Sequence, residues 1–460
     1  MIYLLRGHWQ ICWEFVKDSL LLRWTERGRR LFYHAYRIFD MQAALGRISR
    51  IDACCYGALL KICLFVIICI VNWYFSQRCS CSTIGPEKED VIMSIVLVLR
   101  GFVVIGVMLM HTAWYFRQEH NASWVSVAEM LLDIISLFAV PLVMFVSGYI
   151  FISRHRHADH YKWSFFKKMC LSVLMPYVLF SLLYMAIACC FSDASYSWQQ
   201  IGYLLLTGSS AVHMGFFRAL FGFYAAYPLL LRWFNHSRWQ CRLPWFFMQV
   251  MLLQLVWKIA NNMTLTSQYA AGIVEALSFL RYVAYFCFGM AAYIYRKAFL
   301  RWIDTHHLWL IGMFSLSLPA VVFCWLEKYY WHGLRILDFV CLPLNLLLYS
   351  ITIAVLFRYA HSLEENDCLS KRLMIYLGNY SFGLFLIHII YMYAGSRLLT
   401  AIHLTPRSLA FYPLLFIIML GLSLLSVELL AKKSWGCYWI GRVASLDWRS
   451  VTGKKHKQNG

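Results

Sequence analysis

The chain has 460 residues, of which 61% are hydrophobic and only 14% are charged. Soluble domains carry about 25% charged residues, so this chain has too little polar surface to fold in water. We assign its formal net charge of +20 to basic loops beside a membrane, and not to a nucleic-acid partner.

Long apolar runs recur along the chain. Many windows of about 20 apolar residues are present, which is the length that crosses a bilayer as a helix. Because lipid offers the backbone no hydrogen-bond partner, such runs must be helical. The sequence therefore predicts an all-α polytopic membrane protein, with about ten core transmembrane helices plus one extra N-terminal span.

The N-terminal part differs from the rest. Residues 1–55 form a basic amphipathic region that we expect to lie on a membrane surface, because anionic lipid attracts it. Residues 56–90 contain an apolar run, 56–76, and a polar loop. If this run crosses the membrane, the basic region before it is forced outside, against the positive-inside rule. Otherwise the run is re-entrant or lies on the surface, or the natural start is further in, for example at Met93.

A membrane core is predicted over residues 91–432, followed by a basic tail at 433–460. The loop at 191–213 is long enough to hold a short surface helix. The ten predicted spans lie at residues 91–116, 124–152, 170–190, 214–233, 244–261, 277–296, 307–326, 337–358, 374–394 and 409–431.

The distribution of lysine and arginine sets the predicted orientation. The segment 153–168 has five basic residues and one acidic residue, the loop 232–242 has three arginines, and the tail after residue 431 is strongly basic. These segments fall on the same side of a ten-span core. We therefore expect a multi-pass membrane protein with its C-terminus in the cytoplasm.

The first core span contains a permanent cation and a titratable imidazole. Arg100 and His111 are eleven positions apart, which is about three helical turns plus roughly 20°, so their side chains point the same way. They are separated by about 16 Å along the axis, half of the ~30 Å hydrocarbon core. Ionisable residues in a span are costly and normally face the protein interior or a water-filled cavity. The alternative is that Arg100 snorkels towards headgroups while His111 makes an interhelical hydrogen bond.

Four stretches together resemble one family. They are "LRG" at 99–101 with His111, "PLVMFVSGY" at 141–149, "HMGFFRALFGFYAAYP" with His213, Tyr224 and Pro228, and "YLGNYSFGLFLIH" at 376–388 with Ser381 and His388. In order and spacing they resemble the acyltransferase-3 family of integral membrane O-acyltransferases, in its single-domain branch. The resemblance covers residues 91–431.

The chain departs from that family at the entry to the third helix. Members commonly carry an Arg-x-x-Arg pair there for the phosphates of the acyl donor, whereas this chain has Met169 and Ser172. Lys167 and Lys168 lie just upstream, and a lysine can serve phosphate as a point charge. We expect them to contribute to donor binding.

The resemblance implies an O-acetyltransferase that takes acetyl-CoA, or another acyl-CoA, as its donor substrate. The implied acceptor is a hydroxyl of a cell-surface or exported glycan, or of a lipid-linked sugar. Direct transfer and transfer through an acylated histidine both fit. The expected partners are membrane lipid and this acceptor, without nucleic acid, and the sequence does not predict an oligomeric state.

Acyl transfer requires a base for the hydroxyl proton and stabilisation of the oxyanion. His111 is the candidate base, and the guanidinium fork of Arg100 suits the donor phosphates. His388 and Ser381 are seven positions apart on one helix face. They either orient the acceptor or relay a proton, or Ser381 only bridges helices.

Further residues are predicted to support the site. Asp133 is a candidate partner for Arg100 or His111, since a buried arginine needs a counter-charge. Ser147 is either a nucleophile or part of a close-packing spot beside Gly148, and Tyr149 and His213 belong to the quoted motifs. No metal site is predicted, because the loop histidines at 155–160 lack ligand spacing.

Two alternatives come from other classes of protein. Intramembrane charges also suit a transporter or flippase for a glycan or acyl group. The missing Arg-x-x-Arg pair suggests a catalytically silent scaffold.

Two further arginines in apolar surroundings, Arg218 and Arg281, either bind an anionic acceptor lipid or pair with acids.

Overall fold

The computed structural model describes much of the chain between residues 89 and 441. The described residues are 89–116, 124–155, 170–192, 194–235, 250, 252–254, 257, 277–326, 336–364, 368–406, 408 and 410–441. The predicted N-terminal region, nearly all of the extra segment at 56–90, most of the span at 244–261 and the end of the tail lie outside these residues. So do Lys167 and Lys168.

The first half of the described chain folds into six α-helices. They are α1 Glu89–Phe116, α2 Trp124–Ser136, α3 Ala139–His155, α4 Met175–Phe191, α5 Trp198–Thr207 and α6 Gly215–Asn235. A π-helical turn, Cys170–Leu174, precedes α4. Helix α5 occupies the loop in which a short helix was predicted, and its capping box between Ser197 and Gln200 explains where it begins.

The second half contains seven more α-helices. They are α7 Val283–Ile294, α8 Arg296–Thr305, α9 His307–Leu326, α10 Ile336–Ser362, α11 Leu369–Ala401, α12 Phe411–Ala431 and α13 Cys437–Ile440. Two 3₁₀ segments, Ser278–Tyr282 and Ser434–Gly436, precede α7 and α13. The described residues contain helices and no strand.

Seven stretches are long and apolar enough to cross a membrane, among the residues that the structure describes. They are Ile92–Ala113, Met130–Ser153, Ser172–Phe191, His307–Leu326, Leu344–Ser362, Leu369–Ala401 and Phe411–Ala431. A shorter apolar stretch, Ser278–Ile294, accompanies them. The prediction of an all-α polytopic membrane protein is confirmed.

The second predicted span is interrupted. The sequence predicts one helix over 124–152, whereas α2 ends at Ser136 and α3 begins at Ala139. Pro141 supplies the reason, because its ring lacks an N–H and clashes with the carbonyl four residues earlier, at Leu137. At the end of α2 the Asp133 carbonyl accepts both the Leu137 N–H, over 3.0 Å, and the Ser136 hydroxyl, over 2.9 Å.

Helices α1 and α11 approach each other unusually closely. A Cβ placed on Gly378 would lie 1.9 Å from the Leu97 carbonyl oxygen, and one on Gly101 would lie 2.5 Å from the Met374 carbonyl oxygen. Small residues permit such contact between membrane helices, where packing and not water exclusion drives association. Further along both helices His111 lies beside His388. The two helices therefore run in the same direction and are matched in depth.

Helix α1 separates two apolar cores. Residues such as Leu99 and Val103 pack into a core shared mainly with α3, α7 and α10. Val104 and Met108, on the other side, pack into a core shared with α4, α11 and α12. Helix α6 also contributes to both cores. Because α1 is enclosed on two sides, its polar residues face protein over much of their surface.

Substitution Gly378→Ala tests the close approach. The added methyl meets backbone that cannot move aside, so we expect the free energy of unfolding to fall by about 1–3 kcal/mol. Gly421→Ala in α12 is the matched control, because a Cβ there meets nothing within 4 Å. The control should be neutral or more stable by up to ~1 kcal/mol. Thermal unfolding in detergent measures both, and equal unfolding temperatures for the two variants would contradict the close packing.

Candidate active site

Three histidines from three separate parts of the chain form one buried cluster. His111 lies on α1, His388 on α11, and His213 in the turn between α5 and α6. Their ring centroids are 5.1 Å apart for His111–His388 and His213–His388, and 6.2 Å apart for His111–His213. Only 4%, 4% and 0% of the surfaces of His111, His213 and His388 are exposed. The structure thus joins the candidate base to two other predicted site residues in one imidazole cluster.

The local fold sets the orientation of His388. Its Nδ1 lies 2.8 Å from the Phe385 carbonyl oxygen and 3.2 Å from the Leu384 carbonyl oxygen. Carbonyls only accept hydrogen bonds, so Nδ1 carries the proton and Nε2 keeps its lone pair. The Nε2 atom is buried and forms no hydrogen bond with any residue that the structure describes. It is therefore available as a proton acceptor.

His111 also presents a nitrogen without a protein partner. Its Nδ1 is buried and makes no hydrogen bond within the described part of the chain. A buried polar atom without a partner is costly and generally marks a place where water, an ion or a substrate binds. His111 and His388 together provide two nitrogens that can exchange protons with a bound hydroxyl.

Aromatic side chains enclose the cluster. The rings of Tyr184 and Phe385 have centroids 5.2 Å and 5.3 Å from that of His213. The Tyr184 hydroxyl donates to the Leu386 carbonyl over 2.8 Å, which ties α4 to α11 two residues before His388. Apolar walls of this kind lower the local dielectric and strengthen hydrogen bonds and charge interactions inside the site.

Arg100 and Ser381 precede the cluster along the same pair of helices, Arg100 on α1 and Ser381 on α11. Arg100 is half-buried on α1, about 16 Å from His111 along the axis. Ser381 is buried on α11, about 10 Å before His388. Because α1 and α11 run in the same direction, Ser381 has an intermediate depth between Arg100 and the imidazoles. The three predicted groups therefore follow one another in depth along the two helices.

The remaining predicted supporting residues come from α2 and α3. Asp133 is buried in α2. The Ser147 hydroxyl donates to the Val143 carbonyl over 2.8 Å, within its own helix. The Tyr149 ring packs against Tyr293 and Phe357, in the core that α3 shares with α7 and α10.

Ser147 adjoins a close-packing position. A Cβ on the neighbouring Gly148 would lie 2.0 Å from the Phe286 carbonyl oxygen, so α3 and α7 touch there. Helix α3 continues through this point without a break. This geometry favours the close-packing interpretation of Ser147 over the nucleophile interpretation.

Sequence reasoning missed the aromatic wall. Phe385 lies three residues before His388, one helical turn away, so helical periodicity could have placed it in the site. Tyr184 gives no comparable signal, because it sits in an apolar run far along the chain from every histidine of the cluster. Only the packing of α4 against α11 brings it there.

The described residues contain no group of three or more His, Cys, Asp or Glu side chains that could hold a metal ion.

The fold is that of a multi-pass helical membrane protein, and it encloses a buried cluster of three histidines. A family model described as an acyltransferase domain matches residues 96–428, which is well over half of the chain. The chain belongs to this family, the acyltransferase-3 family, and is a membrane acyltransferase. Neither a curated protein nor a solved structure matches the chain significantly.

The variant His388→Asn separates the two nitrogens of this histidine. The asparagine amide can still donate to the carbonyls that Nδ1 reaches, but no atom replaces Nε2. We expect an unfolding temperature close to that of the unmodified protein and acyl transfer about 10²–10⁴-fold slower, as for the loss of a general acid–base group. Ser396→Ala, a buried change further along α11, is the control. Full activity of His388→Asn would contradict the role of Nε2.

Proposed function

We propose that this membrane acyltransferase moves an acyl group, most simply acetyl, from acyl-CoA to a hydroxyl of a cell-surface or exported glycan. One observation carries the proposal: three buried imidazoles, from α1, α11 and the turn before α6, meet inside the acyltransferase domain. Proton transfer from a hydroxyl is the step that such a cluster suits, because histidine is the side chain whose ordinary pKa lies nearest neutrality.

The proposed chemistry is direct transfer. His111 removes the proton of the acceptor hydroxyl, and the oxygen attacks the thioester carbonyl carbon of the donor. The carbon–sulfur bond then breaks, the ester forms, and the thiolate of the donor leaves and takes up the proton. The apolar surroundings of the cluster favour this step, since fixed dipoles act strongly where water is excluded.

His388 and Ser381 are proposed to handle the acceptor. The Nε2 atom of His388 is buried without a hydrogen-bond partner among the described residues, and the Phe385 carbonyl fixes the tautomer of the ring. This atom can accept a hydrogen bond from the acceptor hydroxyl, or it can take up the proton of that hydroxyl and pass it on. Ser381 lies seven residues before His388 on α11, and its hydroxyl is proposed to orient a substrate group.

Arg100 is proposed to bind the phosphates of the donor. It lies about 16 Å from His111 along α1, so a donor can keep its charged head near Arg100 while its thin thioester arm reaches the imidazoles. The guanidinium forms paired, charge-assisted hydrogen bonds with phosphate oxygens. Lys167 and Lys168 are proposed to add positive charge for the same head, and Asp133 to support one of the ionised groups.

The proposed location is the bacterial inner membrane, with the C-terminus in the cytoplasm. The basic segment at 153–168 and the basic tail support this orientation. It places Arg100 towards the cytoplasm, which supplies acyl-CoA, and the imidazole cluster towards the side where an exported glycan is found.

Removal of the proposed base tests the reaction. His111→Ala should lower acyl transfer from radiolabelled acetyl-CoA to glycan in membrane vesicles by about 10²–10⁴-fold. The matched control is His307→Ala, an exposed histidine at the start of α9, which should be as active as the unmodified protein. If His111→Ala keeps full acyl transfer, the enzyme mechanism is wrong. Unchanged transfer together with impaired glycan export would instead favour the transporter alternative.

Arg100→Ala tests donor binding. Loss of a charge-assisted contact worth about 1.5–3 kcal/mol should raise the KM for acyl-CoA by about ten- to hundredfold. The KM of Arg100→Lys for acyl-CoA should lie between those of the unmodified protein and of Arg100→Ala, because lysine offers a point charge without the fork. Arg301→Ala, an exposed arginine on α8, serves as control. A normal KM for acyl-CoA in Arg100→Ala would exclude Arg100 from the donor site.

A further inference from the structure

His213 lies in a turn, whereas the other two histidines of the cluster lie within helices. His111 and His388 lie on α1 and α11, whose backbones are in contact. His213 lies between the end of α5 at Thr207 and the start of α6 at Gly215. Its carbonyl accepts the Phe216 N–H over 3.2 Å, so α6 fixes one side of the turn, and the other side is fixed by what holds the C-terminal end of α5.

Two side chains hold that end of α5. The Tyr177 hydroxyl, from α4, donates to the Leu205 carbonyl over 2.5 Å. The Arg218 Nη1, from α6, donates to the Thr207 carbonyl over 2.9 Å. The last four carbonyls of a helix lack partners within the helix, so these side chains satisfy groups that would otherwise be costly to keep away from water.

Arg218 also reaches a third element. Its Nε donates to the Ser278 hydroxyl over 2.9 Å, in the 3₁₀ segment before α7. The rigid fork of an arginine can hold two such partners in fixed directions at once. The sequence suggested that Arg218 binds an anionic lipid or pairs with an acid. The acceptors of these two hydrogen bonds are instead a backbone carbonyl and a hydroxyl.

The turn itself is tightly closed. Gly208 has a φ of 68°, the left-handed conformation that favours glycine, and ends α5. A Cβ on it would lie 2.8 Å from the carbonyl oxygen of Met214, the residue after His213. Displacement of the end of α5 is therefore transmitted directly to His213.

We propose that Arg218, assisted by Tyr177, is a positioning residue that holds His213 in the imidazole cluster. It acts through the Thr207 carbonyl at the end of α5 and through the closed turn. The catalytic part of this inference rests on the proposed function, whereas the structural part does not. A loosened turn should slow the acid–base step and leave donor binding at Arg100 unaffected.

The test combines hydrogen exchange with kinetics on the full-length protein in detergent. In Arg218→Ala we expect backbone amides of residues 205–214 to exchange at least about tenfold faster. We expect kcat to fall about ten- to hundredfold with the KM for acyl-CoA unchanged. Arg218→Lys should restore part of kcat, as should added guanidinium with Arg218→Ala. Tyr177→Phe, which removes one hydroxyl, should give a smaller change of the same kind.

Arg281→Ala is the matched control. Arg281 lies in the same 3₁₀ segment as Ser278, but its guanidinium stacks over the Trp257 ring at 5.0 Å. It should leave exchange at 205–214 unchanged. Equal exchange in Arg218→Ala and the unmodified protein, or a fall in kcat from Arg281→Ala as large as from Arg218→Ala, would overturn the proposal.

The outcomes separate this inference from the proposed function. If Arg218→Ala does not fold, Tyr177→Phe decides by the same exchange measurement. If the unmodified protein transfers no acyl group to glycan but Arg218→Ala still loosens residues 205–214, the proposed function fails and the clamp on the turn stands. Normal exchange combined with a raised KM would overturn positioning and assign Arg218 to substrate binding.

Discussion

The close contact between α1 and α11 is the constraint on which the site depends. Gly101 and Gly378 allow the two backbones to touch, and this contact fixes the helices in both direction and depth. His111 and His388 come together as a result, although most of the membrane core separates them along the chain. A side chain at either glycine would separate the helices and with them the imidazoles.

Around this pair the rest of the bundle serves to keep the imidazoles buried and oriented. Tyr184 and Phe385 cover them, and the Phe385 carbonyl fixes the tautomer of His388. Burial has an electrostatic cost for any ion formed there, but it also makes each correctly placed dipole more effective. The same packing that stabilises the fold therefore also sets the burial and the orientation of the imidazoles.

Local patterns in the sequence predicted some elements well. The first core span, predicted at 91–116, is α1 at Glu89–Phe116, because an apolar run in lipid has no alternative to a helix. The short helix predicted between residues 191 and 213 is α5. The interruption between α2 and α3 was not predicted, although Pro141 signals it through the lost N–H and the clash at Leu137.

The sequence alone determined the class of fold, the membrane location of the helices and the identity of the polar residues inside them, since hydropathy and helical period act locally. It also placed Arg100 and His111 on one face of one helix. Only the tertiary structure decided which histidines meet, that Tyr184 and Phe385 enclose them, and that Arg218 joins the end of α5 to the 3₁₀ segment before α7. These are contacts between distant segments. Their geometry is set by the close packing of backbones, which no local pattern encodes.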